Sequence, residues 1–331
     1  NVTVDPETER FLLDATHKLH LRSLNLALTV EQTHDLVRQL GTRLYETFLG
    51  DAGDKVLRAI TPTAFLIDVD ETILNLPWEL IASPRGVLAQ TTPLGRLVTT
   101  RLILRPGRDP LAEDTVVRIL AVANPTLDLA ATEREIDALT GLHGDHGGFR
   151  VDVDVLAEGE ATLSTFADRL ATGDYDILHF AGHAFLDPRE PGRSALRFAD
   201  GDLSADEVAD LPWQSPPYFV FGSACESGRG VGGQRLVVGE SQSNGLAAAF
   251  LAAGVYGYAG YFWPVSDTGA GLFAETFYHT LFLRENVGLA FLEARQRVSY
   301  ELDELGDLTG YSAILYGDAA SKHRRDLAMA V

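Results

Sequence analysis

The sequence predicts an α/β protein with a largely parallel central sheet, helices on both faces and a short helical extension in front. Three observations carry this. The first fifty residues are helical in pattern. From residue 63 onward, short apolar runs alternate with amphipathic stretches. Hydrophobic residues make up 46% of the 331, enough for a sizeable buried core.

In the lead-in, Thr29 and Gln32 have the spacing of a capping box, and Leu36, Leu40, Leu44 and Phe48 recur on one helical face. We expect residues 1–58 to form a helical extension or linker. It is suited either to join a regulator or to pack on the sheet. The main domain is expected at 59–331, with an N-terminal part at 59–150 and a catalytic core at 151–320.

The apolar runs are TAFLIDVD, RLILRP, VVRILAVANP, FRVDVDVL, YDILHFAGH, YFVFGSA and VYGYAGYFW. Helical patterns fall near residues 130–142, 160–172, 240–253, 268–283 and 287–302. Strands alternating with helices build a parallel sheet covered on both sides. Chemistry in such sheets collects at the carboxyl ends of the strands.

Bulk properties exclude several classes. The formal net charge of -20 opposes charge-driven binding to nucleic acid or to an anionic membrane. A protein partner is electrostatically easier. The single cysteine rules out an internal disulfide and an all-cysteine metal site, and it fits a reducing, cytoplasmic setting. No apolar run is long enough to span a bilayer, and no secretion signal opens the chain. The absence of an initial Met suggests a piece of a larger polypeptide. No phosphate-binding loop is present, because the glycines near residue 230 lack the lysine.

Two strand ends stand out. In YDILHFAGHA, Gly182 lets the backbone turn and frees His183 to face a cleft. In YFVFGSACESG, small residues present Cys225 at the end of a strand. A thiol there is accessible, and a neighbouring imidazole favours its thiolate and can protonate a leaving amine. A lone cysteine is otherwise most often a small core residue.

HFAGH, SACESG and LAAAFLAAGVYGYAGYFWPVSD, together with LPWELI, ANPTLDLAATEREIDAL and ILYGDA, resemble the CHAT peptidases, relatives of caspases and separases. The resemblance covers residues 60–320. It implies a caspase-like fold, Cys225 as nucleophile, His183 as acid and base, and no metal or cofactor. Backbone N–H groups of Cys225 and Ala184 would face the oxyanion. The family usually has glycine where this chain has Ala184, which restricts the backbone at that donor.

The resemblance further implies a protein substrate, a regulatory domain or activating partner, and a prokaryotic signalling or defence role. WPVSD is similar to the separase segment that recognises a basic residue. Asp267 is therefore the first candidate for the specificity pocket and Glu226 the second, with Trp263 as a wall. Asp267 is equally placed to cap the following helix, Glu226 to pair with a nearby arginine, and Trp263 to fill the core. Arg229 and Arg235, in the Gly-, Ser- and Gln-rich stretch 229–243, are candidate self-cleavage sites.

His179 reads as a core histidine, since no third metal ligand accompanies it and His183. FLIDVDETIL presents a rival: Asp68 and Asp70 reproduce the opening motif of haloacid dehalogenase-type phosphatases, which use Mg²⁺. The lysine such enzymes need is found only as Lys18, Lys55 and Lys322. A caspase-like module that binds without cutting is a further alternative.

Overall fold

Three helices open the chain: α1 (Pro6–Ser23), α2 (Val30–Phe48) and α3 (Gly50–Ala59). Their placement comes from a computed structural model, which describes residues 4–321 apart from 27, 71–72, 100–115, 130–131, 147–148, 230–244 and 285. The Thr29 hydroxyl accepts the Gln32 N–H at 3.2 Å, and the Gln32 side chain accepts the Thr29 N–H at 3.0 Å. Two donors that a helix start leaves unpaired are thereby satisfied. Leu12 and Leu19 of α1 and Leu40 and Leu44 of α2 are buried in the same hydrophobic cluster as Trp78 and Leu80.

The strands are β1 (Phe65–Asp70), β2 (Ala82–Ser83), β3 (Gly86–Val87), β4 (Leu94–Thr99), β5 (Val116–Ala123), β6 (Gly144–Asp145) and β7 (Arg150–Ala157). After them come β8 (Ile177–Ala181), β9 (Ala184–Phe185), β10 (Ala195–Arg197), β11 (Asp202–Ser204), β12 (Phe219–Ser223), β13 (Gly257–Tyr261) and β14 (Ala313–Tyr316). The later helices are α4 (Thr132–Thr140), α5 (Leu163–Thr172), α6 (Leu246–Ala252), α7 (Asp267–Arg284), α8 (Val287–Leu302) and α9 (Thr309–Ser312).

The main sheet has the order β1-β4-β14-β13-β12-β8-β5-β7-β6. From β13 to β7 all neighbours are parallel. β14 is antiparallel to β13 but parallel to β4, which is parallel to β1. Apart from the short edge strand β6, which is antiparallel to β7, the sheet is two parallel blocks of opposite direction, and β1 and β4 point their carboxyl ends away from those of β8 and β12.

Residues alternate between two cores, as the period of two requires. Leu120, Val122, Leu178, Phe180 and Val220 join the α1, α2, α5 and α6 side. Ile119, Ile177, Phe219 and Phe221 join Phe273, Phe277 and Phe291 of α7 and α8. Burial on both faces explains why β8, β12 and β13 read as continuous apolar runs.

The predicted runs at 63–70, 116–125, 149–156, 175–183, 218–224 and 255–263 each contain a strand, and each predicted later helix is present. RLILRP lies outside the described residues. β4, β14 and the small β11-β10-β9 sheet were not anticipated. No helix among the described residues is long and apolar enough to cross a membrane.

Candidate active site

β8 and β12 are adjacent, with Ala181 opposite Ser223. His183 and Cys225 each follow that pair by two residues, so neighbouring parallel strands release them side by side. Both line a cleft of about 80 Å³ with Leu129, Glu135, Val265 and Asp267. At Gly182 an added Cβ would come within 2.8 Å of the Phe180 ring and 3.2 Å of Pro125, so the turn into His183 has no room for a side chain.

The turn after Cys225 is held from beneath. Tyr258 donates to the Ser227 carbonyl at 3.0 Å, and Tyr316 to the Gly228 carbonyl at 2.8 Å. Gly228 N–H donates to the Tyr261 carbonyl at 3.0 Å. A Cβ on Gly260 would sit 2.6 Å from the Gly228 nitrogen, so this approach needs glycine. Glu226 adopts φ 57°, a left-handed conformation that costs a non-glycine residue roughly 1–2 kcal/mol. One such strained position therefore lies next to the thiol.

Burial pushes the Cys225 thiol above its usual range, and the Glu226 and Asp267 carboxylates add to the shift; the Val265 backbone N–H opposes it. His183 is half exposed, and its Nε2 lies 3.1 Å from each carboxylate oxygen of Asp128. Asp128 is held below the usual carboxylate range, first by the Thr126 hydroxyl and then by His183. This fixes the imidazole's orientation on the loop after β5, the strand beside β8.

The Ala184 N–H has a determinate direction. Arg197 N–H donates to the His183 carbonyl at 2.9 Å, and Ala184 is the next residue along, opposite Leu196. Hydrogen-bonded and non-hydrogen-bonded pairs alternate in antiparallel strands, so the Ala184 N–H points away from β10. Alanine in place of glycine leaves this donor outside the ladder.

A family model for the CHAT domain matches residues 35–308, most of the chain. The chain belongs to the CHAT-domain family. Among solved structures, this CHAT chain is similar to the Arg-specific cysteine proteinase gingipain R, at 13% identity and TM-score 0.52, covering 96% of this chain and 76% of that one. It is also similar to separase in the Saccharomyces cerevisiae separase–securin complex, at 14% identity and TM-score 0.48, covering 96% of this chain but 22% of that one. Caspase-1 from Spodoptera frugiperda matches at 15% identity and TM-score 0.38, covering 70% of this chain and 99% of that one. The chain therefore spans about a fifth of the separase chain. A comparison with curated proteins returned no match. The caspase-like α/β fold expected from the sequence is the one observed.

Within the CHAT fold the candidate residues separate. Asp267 lines the cleft, and it does not cap α7: the Ser266 hydroxyl accepts the Gly269 N–H at 2.9 Å instead. Glu226 lies outside the cleft lining, accepting from Arg229 at 2.6 Å and lying 3.7 Å from His20 of α1. The alternative of an arginine partner holds for it, because the left-handed turn carries its side chain away from the cleft. Trp263 is not among the residues lining the cleft; it is fully buried against Phe262, and its backbone is tied to Ser312. Arg229 is engaged by Glu226 and lies over the Phe262 ring, whereas Arg235 lies outside the described residues.

His179 is fully buried, with Nδ1 3.0 Å from the Tyr278 hydroxyl. Among the described residues no group of three His, Cys, Asp or Glu is placed to hold a metal. Asp68 sits exposed on the edge strand β1, across the sheet from Cys225, and the side chain of Asp70 lies outside the description.

Two residues escaped the sequence reading, Asp128 beside His183 and Glu135 in the cleft lining. Glu135 did leave a signal. It falls on the inward face of α4 with Thr132 and Leu139, where a carboxylate is found only with a partner or a ligand.

Proposed function

We propose that this CHAT chain is a cysteine endopeptidase that cleaves a protein partner after a basic residue. Cys225 attacks the scissile carbonyl after yielding its proton to His183, which then protonates the departing amine. Asp128 holds the imidazole in line and stabilises its charged form. The N–H groups of Cys225 and Ala184 receive the developing oxyanion. Asp267, at the cleft lip, receives the basic side chain.

The observation that carries this reading is the placement of His183 and Cys225 two residues beyond the paired Ala181 and Ser223. The likeness to an Arg-specific proteinase and to separase held by securin favours a peptide substrate and a regulated enzyme. An activating partner and a cytoplasmic signalling or defence role in a prokaryote, which the CHAT resemblance implies, complete the proposal.

The test is a proteome-wide cleavage profile of the wild-type chain against Cys225→Ala. New peptide ends that appear with both proteins, or with neither, would remove the peptidase reading.

A further inference from the structure

The cleft contains a carboxylate that the proposed chemistry does not use. Glu135 is 4% exposed and lines the same cleft as Cys225 and His183. Its Oε2 approaches His179 Nε2 at 3.1 Å but off the hydrogen-bond direction, so both atoms are buried without a hydrogen-bond partner. The other face of that imidazole is taken by the Tyr278 hydroxyl. Two more buried hydroxyls lie nearby, Ser223, which lines the cleft at the end of β12, and Tyr261 at the end of β13; neither makes a hydrogen bond of full geometry, and each stands within reach of the other.

Buried polar atoms in native proteins are nearly always paired, and several unpaired ones around one small space mark a place for something that donates hydrogen bonds. The residues lining the cleft supply carboxylates at two depths, with Asp267 exposed at the lip and Glu135 buried at the floor, and they include no lysine or arginine. The cleft is thus acceptor-rich, negative and next to the thiol.

We propose that Glu135 is a second specificity-determining residue, forming with Asp267 and Ser223 a two-carboxylate pocket for the guanidinium of an arginine. This rests on the peptidase reading, because the arginine is the one that precedes the scissile bond. A guanidinium presents five donors in a plane and engages Glu135, Ser223 and Asp267 together. A lysine ammonium is a point charge with three donors and satisfies fewer of them. Glu135 therefore selects arginine over lysine, while Asp267 selects positive charge in general. Entry of the cation also offsets the Asp267 charge that disfavours the Cys225 thiolate, so the correct substrate helps to ionise its own nucleophile.

The experiment uses peptides that differ only in the residue before the scissile bond: arginine, lysine, leucine or aspartate. The wild-type chain is expected to prefer arginine. Glu135→Gln should lower the arginine-to-lysine ratio of kcat/KM by at least about tenfold, mostly through KM. Asp267→Asn should lower arginine and lysine together relative to leucine. In parallel, calorimetry follows binding of benzamidine, a planar amidinium, to the Cys225→Ala protein and to its Glu135→Gln derivative, with at least about tenfold weaker binding expected in the second.

A folded Glu135→Gln protein with an unchanged arginine-to-lysine ratio overturns the proposal, as does failure of the Cys225→Ala protein to bind benzamidine. The second criterion stands even if Glu135→Gln does not fold. If no peptide is cut but benzamidine binds in a Glu135-dependent way, the cation site survives and the peptidase reading falls.

Discussion

β12 and β1 carry similar signals in sequence and end in different surroundings. Each is an apolar strand leading to a residue that can serve as a nucleophile, Cys225 after β12 and Asp68 within β1. β12 lies mid-sheet between β8 and β13, so its end is surrounded by His183, Asp267 and Glu135. β1 lies at the edge and runs the opposite way, so Asp68 is on another side of the molecule. The local pattern makes a residue available for chemistry; the neighbouring strands decide which groups stand beside it.

The contrast breaks most directly by exchanging the two chemistries. Cys225→Ala should reduce peptide cleavage by about 10⁴-fold or more, the scale seen when an activated nucleophile is removed. Asp68→Asn should leave cleavage within about twofold, measured with the same fluorogenic peptide. Phosphate release lost in Asp68→Asn but kept in Cys225→Ala would reverse the assignment.

The β1 side of the sheet has its own buried charges, and they are structural. Arg96 of β4 is fully buried, donating to Glu79 through Nε at 2.9 Å and through Nη2, and to the Leu74 and Leu76 carbonyls at 3.2 Å each. Burial is the largest influence and opposes the charge on Arg96, but Glu79 and Tyr316 together outweigh it and favour the protonated guanidinium. Removing one member strands the other, so Glu79→Ala should cost about 3–5 kcal/mol in urea unfolding. Asp68→Asn, at an exposed position nearby, should cost less than about 1 kcal/mol, the ceiling for a solvent-exposed ionic contact. Equal losses would mean that the edge is not divided in this way.

A smaller effect separates His183 from its support. Asp128→Asn keeps the shape but loses the charge facing Nε2, and should lower kcat by about tenfold to a hundredfold with KM little changed. That is short of the ~10⁴ attached to a fully buried triad carboxylate, because Asp128 is exposed to solvent. A rise in KM alone would make Asp128 a substrate contact instead.

The strand-end residues were legible in the sequence because a short apolar run followed by glycine or small residues has few other uses. Asp128 was not, since it meets His183 through the pairing of β5 with β8, and adjacency of strands is not written locally. β14 was hidden for a related reason: it is four residues long and antiparallel to its neighbour β13, outside the βα alternation used to find the rest. Trp263 misled in the opposite way. A strand-end position suggested a pocket wall, but Ser312 ties its backbone inward and the ring fills the core. Glu226 misled because sequence adjacency to Cys225 says nothing about φ 57°, which carries the side chain toward Arg229.

The smallest expected effect tests the electrostatics of the β12 end alone. A thiol gains negative charge on ionising, so burial and nearby carboxylates raise its pKa and reduce the thiolate present at any given pH. Cys225 feels burial first and then Glu226 and Asp267, against the Val265 N–H. Alkylation of the free chain by iodoacetamide should therefore still be climbing above about pH 8.5, where an ordinary thiol is half ionised. Glu226→Gln removes one of those carboxylates and releases Arg229 from its ion pair; both changes favour the thiolate. Alkylation at pH 8 should rise about two- to fivefold, with the whole profile moved toward lower pH. A wild-type profile that levels off below pH 8 would show that His183 already withdraws the proton in the free chain, and Glu226 and Asp267 would then have no hold on the nucleophile.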